Sequence, residues 1–105
     1  MQQFDAFENP NTAQRQAFPY FVVLQSDQLD HLSTRLTMPL TRNAATGPRP
    51  PRRLAQTVHI KGEDLYLAPH LLAALPHSVL RHRVASLRAN AALFIDALDA
   101  VVSGV

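Results

Sequence analysis

The side chains of this chain that could do chemistry are five histidines, eight carboxylates and ten basic groups, with no cysteine. His31, His59, His70, His77 and His82 are scattered, and none makes a helical His-x3-His pair with a convincing third ligand. The spacing therefore predicts no metal site. His77 and His82 stand across an expected strand end, and His59 sits between Val58 and Ile60 in a strand-like run. That position reads as a half-buried structural histidine. Asp27 and Asp30 follow Ser26, a pattern of turn capping rather than of a paired acid and base. Asp96 and Asp99 stand near the end of an expected helix, where carboxylates oppose the helix dipole at a cost of roughly a few tenths of a kcal/mol. They read either as a solvated face or as a patch retained because a cationic partner meets it. No nucleophile elbow, P-loop or dinucleotide fingerprint occurs. Neither catalytic residues nor a cofactor is expected, and the chain reads as a non-enzyme.

Charge and composition narrow the class further. The formal net charge is +2, too small to demand a nucleic-acid partner, and no direct nucleic-acid binding is expected. The positive groups cluster at Arg42, Arg49, Arg52, Arg53 and Lys61, and again at Arg81, His82, Arg83 and Arg88. Such clusters read as solvated surface. The missing cysteine excludes a disulfide scaffold and thiolate metal sites and fits a reducing compartment. No apolar run approaches the roughly 18 residues of a membrane span, and no signal peptide opens the chain. A cytoplasmic location without membrane association is expected. A chain of 105 residues argues for one domain over 1–105. A domain of that size buries roughly two-thirds of its unfolded surface, a thin margin that pairing with a second copy would widen.

Those groups must be positioned by short elements. Gln2 to Phe7 alternates weakly as a strand, and the Glu8–Thr12 turn formers end it. Phe18-Pro19-Tyr20-Phe21-Val22-Val23-Leu24 is the strongest strand signal, rich in aromatic and β-branched residues. Gln25-Ser26-Asp27 breaks it, and Leu29 to Leu32 reads as a turn or short helical bend. Thr34 to Leu40 alternates again, with Leu36, Met38 and Leu40 inward and Arg35 and Thr37 on a wet face. It is expected to pair with the Phe21 strand. Residues 41–53 hold one glycine, three prolines and four arginines and read as a flexible Arg/Pro-rich surface loop.

Beyond the loop, Leu54 to Ile60 and Leu65 to Ala68 form two strands about a Lys61-Gly62-Glu63-Asp64 turn. Leu71 to Leu75 reads as a helical turn and Ser78 to Leu80 as a short strand. From Val84 to Val102 there is no proline or glycine, and Leu87, Ala91, Phe94, Leu98 and Val101 or Val102 recur at helical spacing. The pattern predicts a C-terminal helix over 84–102, with Ser86 as its N-cap and Gly104 at its end. The tally is α+β: a twisted, barrel-like antiparallel sheet with a helix against it.

Phe21 to Asp30, with its Gln25-Ser26-Asp27 turn, followed by Thr34-Arg35-Leu36-Thr37-Met38-Pro39-Leu40, resembles the CcdB toxin family. Thr57-Val58-His59-Ile60, Leu75-Pro76 and the closing Gly104-Val105 hold the same order over nearly the whole chain. The resemblance implies an SH3-like barrel sheet with a small second sheet and a C-terminal helix, in a symmetric homodimer. It implies the toxin of a type II toxin–antitoxin (plasmid maintenance) module that catalyses nothing. Such a toxin binds the A subunit of DNA gyrase, traps its cleavage complex and is neutralised by a CcdA-like antitoxin. Carried onto this chain, the gyrase-binding positions are Ala92, Asp96, Asp99, Val102, Ser103, Gly104 and Val105. Ser26, Gln28 and Leu29 fall to the dimer or antitoxin surface. Where well-known members carry tryptophan this chain has Ser103, and Ala92, Asp96 and Asp99 replace asparagines.

Two other functions stand beside this one. A MazF- or Kid-like endoribonuclease of the same fold would recruit Arg35, His59 and the Arg49–Arg53 loop. An inactive binding relic would keep the fold without poisoning anything.

Overall fold

The computed structural model describes residues 1–42 and 57–103. Seven strands form one antiparallel sheet: β1 (Asp5–Glu8), β2 (Tyr20–Val23), β3 (Thr34–Thr41), β4 (Thr57–Ile60), β5 (Glu63–Leu67), β6 (Ala73–Pro76) and β7 (Arg83–Ser86). One helix, α1 (Ala91–Ser103), closes the described chain. Along the sheet the order is β4-β5-β3-β2-β1-β7, with β6 also pairing β3. The sheet curls into a half-barrel, and α1 packs against the main core through Phe94 and Ala97. This is the expected α+β, SH3-like barrel architecture, except that the expected small second sheet is not separate: among the described residues all seven strands join one sheet, because β3 pairs both β5 and β6 along one edge.

β3 organises the sheet because it changes partner along its length. One edge pairs β2 from Thr37 to Leu40. The other pairs β6 over Thr34 to Thr37 and β5 over Leu40 and Thr41. Pro39 stands at the handover. Its carbonyl accepts from the Ala68 N–H at 3.1 Å, so its missing N–H faces the same edge, between β6 and β5. A proline is tolerated in this central strand because the ladder to β2 loses nothing.

The β4–β5 turn is tighter than the sequence predicts. Lys61 and Gly62 take φ of +53° and +80°, the pair of positive values of a two-residue type I′ hairpin. Glu63 and Asp64 therefore already belong to β5.

Two faces of the sheet are buried. Tyr20, Val22, Met38, Leu40, Val58, Ile60, Leu65, Leu67, Phe94 and Ala97 belong to the main core. Phe7, Val23 and Leu80 form a second cluster, flanked by Leu75 and Val79. The second cluster corrects the expected wet face of β3, since Arg35 and Thr37 are buried. Thr37 Oγ1 donates to the Ala73 carbonyl at 2.8 Å. Leu36, expected inside, is exposed at the end of the sheet.

Other boundaries move as well. The first strand begins at Asp5 rather than Gln2, because Asp5, Ala6 and Phe7 are the residues that pair β7. Residues 69–71 and 77–79 are 3-10 turns, so the expected helical turn at Leu71–Leu75 is largely strand β6, and the expected strand at Ser78–Leu80 is a turn. The C-terminal helix starts at Ala91, not 84. Arg83 to Ser86 instead add a strand to β1, and Arg88–Asn90 form a 3-10 turn. Ser86 is paired to Asp5 across the sheet and caps no helix. Edge pairing overrides helix propensity here. Of the expected 41–53 loop, Thr41 ends β3 and Arg42 is exposed, while 43–53 lie outside the described residues.

Candidate functional site

α1 is held from behind. The Leu87 N–H donates to the Phe4 carbonyl at 2.8 Å, and the Asn90 N–H to the Leu87 carbonyl at 2.8 Å, which aims the chain into the helix. Phe94 and Ala97, one turn apart, are its buried residues, with Ala91 and Leu93 packed against the same core. Leu98 is half-buried, but Val101 is exposed and Val102 is 76% exposed, so the predicted apolar stripe ends before the C-terminus.

The opposite face carries Ala92, Asp96, Asp99 and Ser103, all exposed. Their helical spacing places them in one line on the outer surface. Ile95 and Val102 flank that line as large exposed apolar residues. Ser103 Oγ donates to the Asp99 carbonyl at 2.5 Å, satisfying one carbonyl of the last turn. Neither Asp96 nor Asp99 has an ion-pair or hydrogen-bond partner for its carboxylate among the described residues. The last turn also contains no basic residue. An acidic ridge edged by valine and isoleucine can bind a surface that offers cations around an apolar pocket. Gly104 and Val105 lie outside the described residues.

Ser26, Gln28 and Leu29 are exposed on the turn after β2, where Asp27–Leu29 form a single 3-10 turn. Ser26 Oγ accepts from the Gln28 N–H at 3.2 Å, the capping expected of it. Asp27 ties this turn to its surroundings. It accepts from the Gln3 N–H at 2.7 Å and pairs Arg88 at 3.4 Å. The turn is thereby linked to the approach of α1, not to its C-terminus. Ser103 lies about 18 Å further along the axis at 1.5 Å per residue.

The residue that shapes this turn was expected on the wet face. Arg35 is 6% exposed, and its guanidinium donates to the carbonyls of Asp30 at 2.7 Å, Thr34 at 2.9 Å and Leu32, and to the Asp30 carboxylate at 2.9 Å. An arginine in an alternating strand resembles any surface arginine in sequence, so only the fold reveals its role. His59 moves the other way. Its side chain is 63% exposed rather than half-buried, and Nδ1 lies 2.8 Å from Asp64 Oδ1 across the hairpin. β4 is an edge strand whose odd-numbered residues face solvent. Arg35 is bound up near β6 while His59 stands on the far hairpin, so these two ribonuclease candidates do not meet. Arg49 to Arg53 lie outside the described residues. Among the described residues, no three acidic or histidine groups converge to hold a metal ion, and no helix is long and apolar enough to cross a membrane.

A curled antiparallel sheet carrying a C-terminal helix with one exposed acidic face defines a small α+β protein of SH3-like barrel type. The family model for the CcdB protein matches residues 3–104, and the chain belongs to the CcdB family. Membership points to the toxin half of a toxin–antitoxin module. No curated protein matches the chain significantly.

Proposed function

We propose that this protein is a homodimeric toxin that binds the A subunit of DNA gyrase, traps the enzyme on cleaved DNA, and is neutralised by a CcdA-like antitoxin. The observation that carries this reading is the outer face of α1. The gyrase-facing positions implied by the family, Ala92, Asp96, Asp99, Val102 and Ser103, are all exposed there, while Phe94 and Ala97 hold the helix from the other side. These contacts would lead into Gly104 and Val105. Leu29, Leu32 and Leu36, away from the outer face of α1, leave exposed apolar side chains that a second copy would cover, which supports the dimer. Ser26, Gln28 and Leu29 fall to the dimer or antitoxin surface. The toxin acts by occupying its target, in the cytoplasm where gyrase works, and no step of the proposal requires a reaction on the toxin itself.

Purified gyrase with supercoiled DNA and ATP tests the reading. The full chain is expected to accumulate linear DNA carrying covalently attached gyrase, and a chain lacking residues 103–105 is expected to lose this. Poisoning by the truncated chain would overturn the assignment of the tail. Absence of cleavage complexes with the full chain would overturn the gyrase reading itself.

A further inference from the structure

A cleft of about 460 Å³ opens at the end of the sheet where β1 stops and β2 begins, far in sequence from the acidic ridge of α1. It is lined by Arg15, Arg42, Lys61, Glu8, Tyr20 and Gln16, with Pro19 and Val84 as apolar walls. Strand register explains the assembly, since Glu8 pairs Tyr20 and Tyr20 pairs Leu40, two residues before Arg42. The lining holds three cations against one carboxylate.

The donors there are only partly used. Arg42 gives Nε to Glu63 at 2.6 Å and Nη1 to the carbonyls of Arg15 and Gln16 at 3.0 and 2.8 Å, leaving Nη2 unused. Arg15 gives Nε to the Asn9 carbonyl and holds Nη1 2.9 Å from Glu8 Oε1 in an ion pair, and its Nη2 is likewise unused among the described residues. Those bonds fix both guanidinium planes. Among the described residues Lys61 has no partner, and its position in the type I′ turn places it beside the cleft.

Tyr20 adds a neutral donor to the charges. Its ring belongs to the main core, and among the described residues its hydroxyl makes no hydrogen bond. That hydroxyl reaches solvent, and Tyr20 lines this cleft. A solvent-facing hydroxyl beside free guanidinium edges and an ammonium can receive an anion.

We propose that this cleft binds the phosphate group of a small phosphomonoester. Lys61, the free Nη2 groups of Arg15 and Arg42, and the Tyr20 hydroxyl take the phosphate oxygens, and Pro19 and Val84 take the organic part. The volume falls in the range of small-ligand sites, roughly 300–1,000 Å³. Glu8 pairs Arg15 and Glu63 pairs Arg42, so Lys61 is the cation left without a carboxylate among the described residues, and a phosphate offers enough acceptor oxygens for it and several neighbouring donors at once. This site is independent of the gyrase reading and stands whether or not that reading holds.

The test is an NMR titration of the full chain with inorganic phosphate, adenosine monophosphate and succinate at constant ionic strength. Both phosphates are expected to shift Tyr20, Lys61, Arg15 and Arg42, with the nucleotide binding more tightly. Tyr20→Phe and Lys61→Asn are each expected to weaken binding about tenfold, the size of one hydrogen bond to a charged group. Lys61→Asn suits the turn, so it keeps the test decisive even if Tyr20→Phe disturbs the core. No shifts, unchanged affinity in Lys61→Asn, or equal binding of succinate would overturn the site. Equal affinity for inorganic phosphate and the nucleotide would overturn the phosphomonoester assignment.

Discussion

The rings of Phe4 and Phe94 lie 5.9 Å apart between centroids, with planes inclined by 37°. This contact joins the two ends of the described chain. Phe4 adopts φ of +69°, a left-handed conformation that costs a residue with a side chain roughly 1–2 kcal/mol. Its surroundings hold it there. The Phe4 N–H donates to Val23 at 2.6 Å, its carbonyl accepts from Leu87, and Asp5 Oδ2 accepts from the Gln2 N–H at 2.9 Å. The strained residue thus seats α1 at its point of entry and lays an aromatic face beneath it.

Removing the other ring releases the helix. Phe94→Ala empties a fully buried site and is expected to cost about 3–5 kcal/mol, read by urea denaturation. Amide exchange should accelerate along α1 well before the sheet. A loss below about 1 kcal/mol would mean that α1 is not anchored through Phe94.

Arg35→Lys is expected to loosen the turn that carries Ser26, Gln28 and Leu29. A lysine offers one ammonium where the guanidinium reaches three carbonyls and a carboxylate, and the position is buried. The expected cost is about 1.5–3 kcal/mol, the size of a hydrogen bond from a charged group. Hydrogen exchange at residues 27–33 checks it, because a merely electrostatic role would leave the turn protected.

Gly62→Ala is expected to destabilise the β4–β5 hairpin by about 1 kcal/mol or more through its positive φ alone. A Cβ there would meet no atom within 4 Å, so no steric clash contributes. Thermal melts should show the loss in Gly62→Ala and a much smaller one in Gly62→Asn, which tolerates the left-handed region better. Equal losses would point to something other than backbone conformation.

How much of this was legible in the sequence differs by element. Val22, Val23 and Met38 to Leu40 declared themselves because their apolar residues are buried whatever the partner. The Lys61-Gly62 turn was legible because positive φ selects glycine. Arg83 to Ser86 was not, because Val84 and Ala85 fit a helix as well as a strand, and only pairing with β1 decides. Arg35 was read on the wrong face, and His59 was read as half-buried although β4 is an edge strand that leaves it exposed. Alternation shows that two faces differ, but not whether a second cluster, such as Phe7, Val23 and Leu80, covers the face that looks wet. In the candidate site, exposure of Asp96 and Asp99 followed from their place off the stripe. The Tyr20 cleft gathers residues from five separate segments and has no linear signature.

The end of α1 supplies the most direct functional prediction. Ser103 is exposed and turns its hydroxyl back onto the Asp99 carbonyl, so it offers a partner little surface. Ser103→Trp is expected to strengthen gyrase poisoning, because a buried aromatic anchor contributes about 2 kcal/mol, or roughly 30-fold in affinity. The measurement is the toxin concentration giving half-maximal linear DNA, with Asp96→Asn/Asp99→Asn beside it to separate charge from anchoring. If charge limits the contact, the double asparagine variant gains potency and its advantage shrinks as salt rises. If Ser103→Trp leaves potency unchanged while the wild type poisons gyrase, the gyrase contact does not run through the end of this helix.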